Sequence, residues 1–116
     1  MMRCLEASEK NMAYELRYLA TAHEDILEAD AYMSEESPDR AKRFLALLDV
    51  KLLQLRNTPF MYQVYEEYPI YRRIVIWDYL IFYLVNETEG VIDVHRVINS
   101  KMHVIKRLLE MQVGAE

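Results

Sequence analysis

A change of period divides this sequence. From Ala22 to Leu55 apolar residues return every three or four positions, whereas from Arg72 to Ile98 they come in β-branched and aromatic runs. The first spacing is that of helices with one buried stripe, the second that of strands. Thr21 stands three residues before Glu24, the capping-box arrangement in which each side chain satisfies an amide at a helix start. A first helix is therefore predicted to run to about Glu36, with Ala22, Ile26, Ala29 and Met33 on its buried stripe. Its other face carries Glu24, Asp25, Glu28 and Asp30 and no basic residue. Ser37-Pro38-Asp39 restarts the chain with a capping serine and a proline at the first helical position. The second helix continues to about Arg56 on the stripe Ala41, Leu45, Leu48, Leu52 and Leu55. So short a joint forces the two helices into an antiparallel hairpin.

Asn57-Thr58-Pro59 stops the second helix. The tyrosine-rich stretch Phe60–Ile70, broken by Pro69, reads as a loop with room for one short edge strand. Arg72–Trp77, Leu80–Val85 and Val91–Ile98 follow as strands, joined by Trp77-Asp78-Tyr79 and by Asn86–Gly90 at hairpin lengths, so they form an antiparallel meander. Tyr14–Leu19 alternates and supplies a first strand, which must enter the same sheet because alone its backbone groups stay unpaired. Ser100 is placed to cap a last helix, Lys101–Met111. The order β-α-α-β-β-β-α gives an α+β fold of two layers, with the helix hairpin on one face of the sheet. Leu48, Leu52, Ile76, Phe82 and Val94 are the leading core candidates. Met1–Asn11 follows neither period and is expected to be a flexible extension, leaving 12–116 as the domain.

The composition of the 116 residues, 53% apolar and 28% charged, supports one packed core and argues against disorder. One cysteine, Cys4, excludes an intramolecular disulfide and a paired-cysteine zinc site. No apolar run approaches the roughly 20 residues of a spanning helix, and Met1–Asn11 lacks the apolar centre of a signal peptide, so a cytoplasmic protein without a membrane partner is expected. The net charge of −5 hides an asymmetry, because Arg96–Arg107 holds four basic residues and no acidic one. A globally basic nucleic-acid binder is disfavoured, while a local basic site survives.

Within that basic stretch, Arg96 and Lys101 are candidate phosphate cations, and Arg73 joins them from the first strand of the meander. Arg73 has a second reading, as a charge that protects an edge strand or as a salt-bridge partner of Glu66 or Glu67. His95 and His103 carry the ring suited to acid or base work near neutral pH. Asp93, His95 and His103 match no metal-ligand spacing, position 27 is Leu where a second histidine would complete a metalloprotease motif with His23-Glu24, and no glycine-rich phosphate loop exists; neither metal nor cofactor is expected. Tyr62, Tyr65, Tyr68 and Tyr71 cluster ahead of the meander, either to stack on bases or a partner helix or to close the rim of the core.

The element order and three strings resemble the RelE/ParE superfamily of toxins from bacterial type II toxin–antitoxin modules. The first string is Tyr71-Arg72-Arg73-Ile74-Val75-Ile76-Trp77-Asp78-Tyr79-Leu80-Ile81-Phe82-Tyr83-Leu84-Val85, where family members often read YRKIIVKNYLIFYRV. The second is Val91–His103, against a pattern near V-x-I-x-R-I-L-Y-G-x-R-D, and the third is the strand–helix opening Met12–Tyr32. The likeness runs from Met12 to about Glu110 and implies a RelE/ParE-like fold, a growth-inhibiting toxin and a cognate antitoxin as partner. It also implies one of two targets, DNA gyrase or the ribosome with its mRNA. Arg73, Arg96 and Lys101 keep the basic character of the family. Leu80 stands where RelE-type RNases usually have an arginine, and Asn99, Ser100, Met102 and His103 replace the tyrosine, glycine, second basic residue and aspartate of the C-terminal pattern. These departures favour a ParE-like inhibitor without nuclease chemistry over a RelE-type mRNA endoribonuclease or a degenerate toxin that only binds its antitoxin.

Overall fold

A computed structural model describes residues 13–101 together with Val104 and Leu108. The expected extension Met1–Asn11, its boundary at Met12, His103 and most of the last helix lie outside the described residues. Six elements follow one another: β1 (Glu15–Tyr18), α1 (Ala20–Glu36), α2 (Pro38–Leu55), β2 (Arg72–Ile76), β3 (Tyr79–Asn86) and β4 (Val91–Asn99). Val104 and Leu108 are helical, as the last helix requires.

The sheet order is β1-β4-β3-β2. Strands β2, β3 and β4 form the expected antiparallel meander. The first strand enters the same sheet, parallel to β4, with Glu15 opposite Val91 and Tyr18 opposite Val94. Helices α1 and α2 pack on each other and on the sheet. Ala22, Ala29, Met33, Ala41, Leu48, Leu52 and Leu55 meet Ile74, Ile76, Ile81, Tyr83, Ile92 and Val94 in the main core. Because alternate side chains of a strand face opposite ways, β3 also sends Phe82, flanked by Leu80 and Leu84, to a second cluster with Tyr65, Tyr71, Ile98 and Leu108. All five leading core candidates are buried, Phe82 in this second cluster.

Local chemistry explains the joints. Between the helices, Ser37 accepts a hydrogen bond from the Arg40 amide at 3.2 Å and Pro38 opens α2. The capping box expected from Thr21 and Glu24 does not form. The Leu19 amide still donates to the Val94 carbonyl at 3.0 Å, and α1 starts at the next residue, so Thr21 falls inside the first turn and no side chain caps the helix. The loop after α2 supplies only one bridge, Val64 opposite Arg72, instead of an edge strand. With the bond from the Arg73 amide to the Gln63 carbonyl at 3.2 Å, it still covers the first residues of the outer edge of β2. Trp77 opens the two-residue turn between β2 and β3 at φ 53°, a position that favours glycine. Its ring is held between Phe44, centroids 5.7 Å apart, and the Arg40 guanidinium at 4.4 Å.

Candidate functional site

The sequence-predicted site residues gather around β4, and the strand is irregular where they lie. Phe82 faces Arg96 while Tyr83 faces Val94, so His95 is an extra residue in a β-bulge, without a partner on β3. Its ring turns to the second cluster, where Nδ1 lies 3.1 Å from the Tyr71 hydroxyl and the two rings meet edge to face at 5.1 Å. Burial pushes the imidazole pKa below its ordinary 6.5, with the Asp93 charge opposing the shift, and so favours the neutral ring.

The next residue goes to the helix. Arg96 donates from Nε to Asp25 Oδ2 at 2.7 Å and from Nη2 to Oδ1 at 3.1 Å, a two-pronged pair with both side chains about 10% exposed. Asp25 Oδ2 also accepts from the Val97 amide at 3.0 Å. One turn earlier, the Thr21 hydroxyl donates to the His95 carbonyl at 3.0 Å. Strand β1 pairs only with Val91–Val94. Beyond its end, these two α1 side chains satisfy the edge groups of β4 that a strand would otherwise take. Asp25 therefore leaves the acidic outer face on which the sequence placed it.

Of the three expected phosphate cations, Arg96 and Lys101 line one groove between α1 and the tail of β4, and Arg73 is not among its lining residues. Arg96 is spent on Asp25. The Arg73 guanidinium lies 5.9 Å from the Tyr65 ring centroid and makes no ion pair among the described residues, Glu66 and Glu67 included. Lys101 is exposed, its Nζ 3.9 Å from Asp78 at the β2–β3 turn. The Asn99 side chain accepts from the Lys101 amide at 2.9 Å; the amides that a capping Ser100 would bind lie outside the described residues. His103 lies outside the described residues. Leu80, the position of the missing arginine, packs against the second cluster.

Asp93 pairs with Arg17 across the β1–β4 register, at 2.9 Å to Nε and 3.3 Å to Nη2, and the bond raises the guanidinium pKa further. Among the described residues no three His, Cys, Asp or Glu side chains converge as metal ligands would. No helix among them is long and apolar enough to cross a membrane. The tyrosines divide: Tyr65 and Tyr71 are buried in the second cluster, with Tyr68 packed against it, while Tyr62 packs on the main core. Tyr83, buried with its hydroxyl donating to the Pro59 carbonyl at 3.2 Å, has its pKa pushed up to about 12 by burial.

Sequence reasoning missed Asp25, Thr21 and Tyr71 as partners of the site. Asp25 carried a signal: it stands three residues after Ala22 and four before Ala29, on the shoulder of the buried stripe. Past Asp25 the helix and the tail of β4 enclose a groove of about 390 Å³, lined by Glu28, Ala29, Tyr32, Tyr79, Val97 and Asn99 among others.

The family model of the ParE toxin of type II toxin–antitoxin systems matches residues 16–104 of the chain. No curated protein matches the sequence. Among solved structures, the toxin–antitoxin complex RelBE2 from Mycobacterium tuberculosis is similar over 76% of this chain and 92% of that one, with a TM-score of 0.56 and 16% identity. The chromosomal ParDE system from P. aeruginosa is similar over 77% of this chain and 97% of that one, with a TM-score of 0.62 and 17% identity. At such identities the two structures speak for the fold.

Proposed function

The chain belongs to the ParE toxin family of type II toxin–antitoxin systems, and from that premise we propose that it arrests growth by binding its target, without cutting RNA, until a cognate antitoxin neutralises it. The cytoplasm is its place of action and DNA gyrase its target. The pairing of Arg96 with Asp25 carries this reading. RNA cleavage needs a base at the 2′-hydroxyl, cations on the phosphate and an acid for the leaving oxygen. Arg96, the cation that the family pattern puts on the last strand, has its charge and the Nε–Nη2 edge of its guanidinium committed to a carboxylate. His95, the nearest base, has Nδ1 against Tyr71. Leu80 leaves the arginine position of the RNases apolar.

The test pairs two measurements after induced expression. Growth arrest with inhibited supercoiling by purified gyrase, and no new ribosome-positioned ends in primer extension of cellular mRNA, is the expected outcome. Strong mRNA cutting would refute the non-nuclease reading and assign the toxicity to an endoribonuclease. Harmless expression would leave a degenerate antitoxin-binding partner.

A further inference from the structure

Strand β1 is an outer edge of the sheet. The Glu15 amide donates to the Gly90 carbonyl at 2.8 Å and the Leu19 amide to the Val94 carbonyl at 3.0 Å, so these alternate positions turn to β4. The main-chain groups of Leu16 and Tyr18 then point outward, and among the described residues no backbone group of another element meets them. Unpaired groups of this kind are a template for a further strand. The two faces of β1 differ. Tyr14 and Leu16 pack on the main core, with Tyr18 on the same side, while Glu15 and Arg17 stand exposed on the other. Helix α2 flanks the strand. The Tyr14 amide donates to the Arg56 carbonyl at 2.7 Å, and Arg56 Nε donates to the Tyr14 carbonyl at 2.9 Å. Two turns earlier stands Asp49, whose charge adds to burial in raising the Tyr18 hydroxyl pKa. Asp49, Leu53 and Arg56 therefore share the side of α2 that borders the edge.

We infer that this edge binds a second copy of the chain, strand to strand and antiparallel about a twofold axis at Leu16, joining two four-stranded sheets into one of eight strands. Charge selects both the register and the partner. An axis at Arg17 would set the two guanidinium side chains opposite each other, and an axis at Tyr18 would run the ladder into α1. An axis at Leu16 sets Glu15 opposite Arg17 of the second copy, and Arg17 opposite its Glu15. The short strand is its own electrostatic complement. The same axis sets Tyr18 opposite Tyr14 of the second copy, and so brings Asp49, beside the one, toward Arg56, beside the other. Among the described residues Glu15, Asp49 and Arg56 have no ion-pair partner within the chain. Leu53, 47% exposed between Asp49 and Arg56, then faces its own counterpart, with Val50, 52% exposed, beside it. These are large apolar side chains that a single copy leaves in water. The surface lies apart from the groove at the tail of β4, and it goes beyond the toxin reading without depending on it.

Sedimentation of the full chain over a concentration series should show a monomer–dimer equilibrium, with hydrogen exchange at the Leu16 amide slowing as the dimer forms. Glu15→Arg and Asp49→Lys, both at exposed positions, set like charges against Arg17 and Arg56 of the second copy. Each should weaken dimerisation roughly tenfold or more with an unchanged circular-dichroism melt. An equimolar mixture of Glu15→Arg and Arg17→Glu chains should pair more tightly than either chain alone, because every charge again meets its opposite; damage to the fold cannot produce that rescue. A chain that stays monomeric at every concentration, or a dimer as tight in both single variants as in the wild type, would overturn the twofold pairing. So would a Leu16 amide slowed only when antitoxin is added, which would give the edge to that partner. None of these outcomes touches the toxin reading, which growth arrest tests separately.

Discussion

Val91–Val94, the first half of β4, has a strand on either side, β1 and β3; from His95 onward the same strand has β3 on one side and a helix on the other. The first half is held by a backbone ladder that asks little of residue identity on its edges. The second half is held by Thr21 and Asp25, whose side chains take the place of a strand. A ladder tolerates exchange of side chains, whereas a substitute built from one hydroxyl and one carboxylate does not. The irregular half is also where the sequence-predicted candidates His95 and Arg96 fall.

That contrast breaks if the side-chain substitute turns out dispensable. Asp25→Ala leaves Arg96 buried without its counter-charge and the Val97 amide without an acceptor. With both side chains about 10% exposed, solvent screens little, and the loss should reach about 3–5 kcal/mol in urea unfolding. Adding Arg96→Met should recover much of it, because the orphaned charge is then removed too. A single-variant cost no larger than that of an ordinary surface change would show that the tail needs no helix. In the regular half, Ile92→Val should cost only about 0.5–1.5 kcal/mol, since Ile92 is fully buried but loses one methylene. A cost equal to that of Asp25→Ala would reverse the comparison.

The regular half was legible in the sequence and the irregular half was not, for one physical reason. Period, turn and cap are local, so the Ser37-Pro38 joint, the helix stripes and the meander could be read from neighbours. The pairing of Arg96 with Asp25 spans 71 positions, and nothing beside Arg96 marks its partner. Reading Arg96 by the family pattern alone assigned it to a phosphate. The bulge was invisible because Val94 and Val97 both reach the main core across it, so the run Val91–Ile98 read as one regular strand. Capping failed at Thr21 for a related reason: the box describes a free helix start, whereas here the ladder to Val94 fixes where α1 begins.

The smallest expected effect lies at the bulge and is read by pH. Burial lowers the His95 pKa from 6.5, so on acidification the unfolded chain takes up this proton before the native state does. Native stability is then fully present above pH 6.5 and declines as the pH falls toward the lowered native value. Carboxylates also titrate on the way down, so the contribution of His95 must be read as a difference. The urea midpoint of the wild-type chain should fall more between about pH 7 and 5 than that of His95→Gln, which keeps a hydrogen-bonding group near Tyr71 without a titrating ring. The gap should be modest, because the ring is only half-buried and Asp93 partly offsets the burial. Equal slopes would mean that the bulge leaves His95 wet enough to titrate as in the unfolded chain, and that the Tyr71 contact does not hold the neutral form. Unequal slopes would locate a proton-sensitive point in the half of β4 that side chains, rather than a ladder, keep in place.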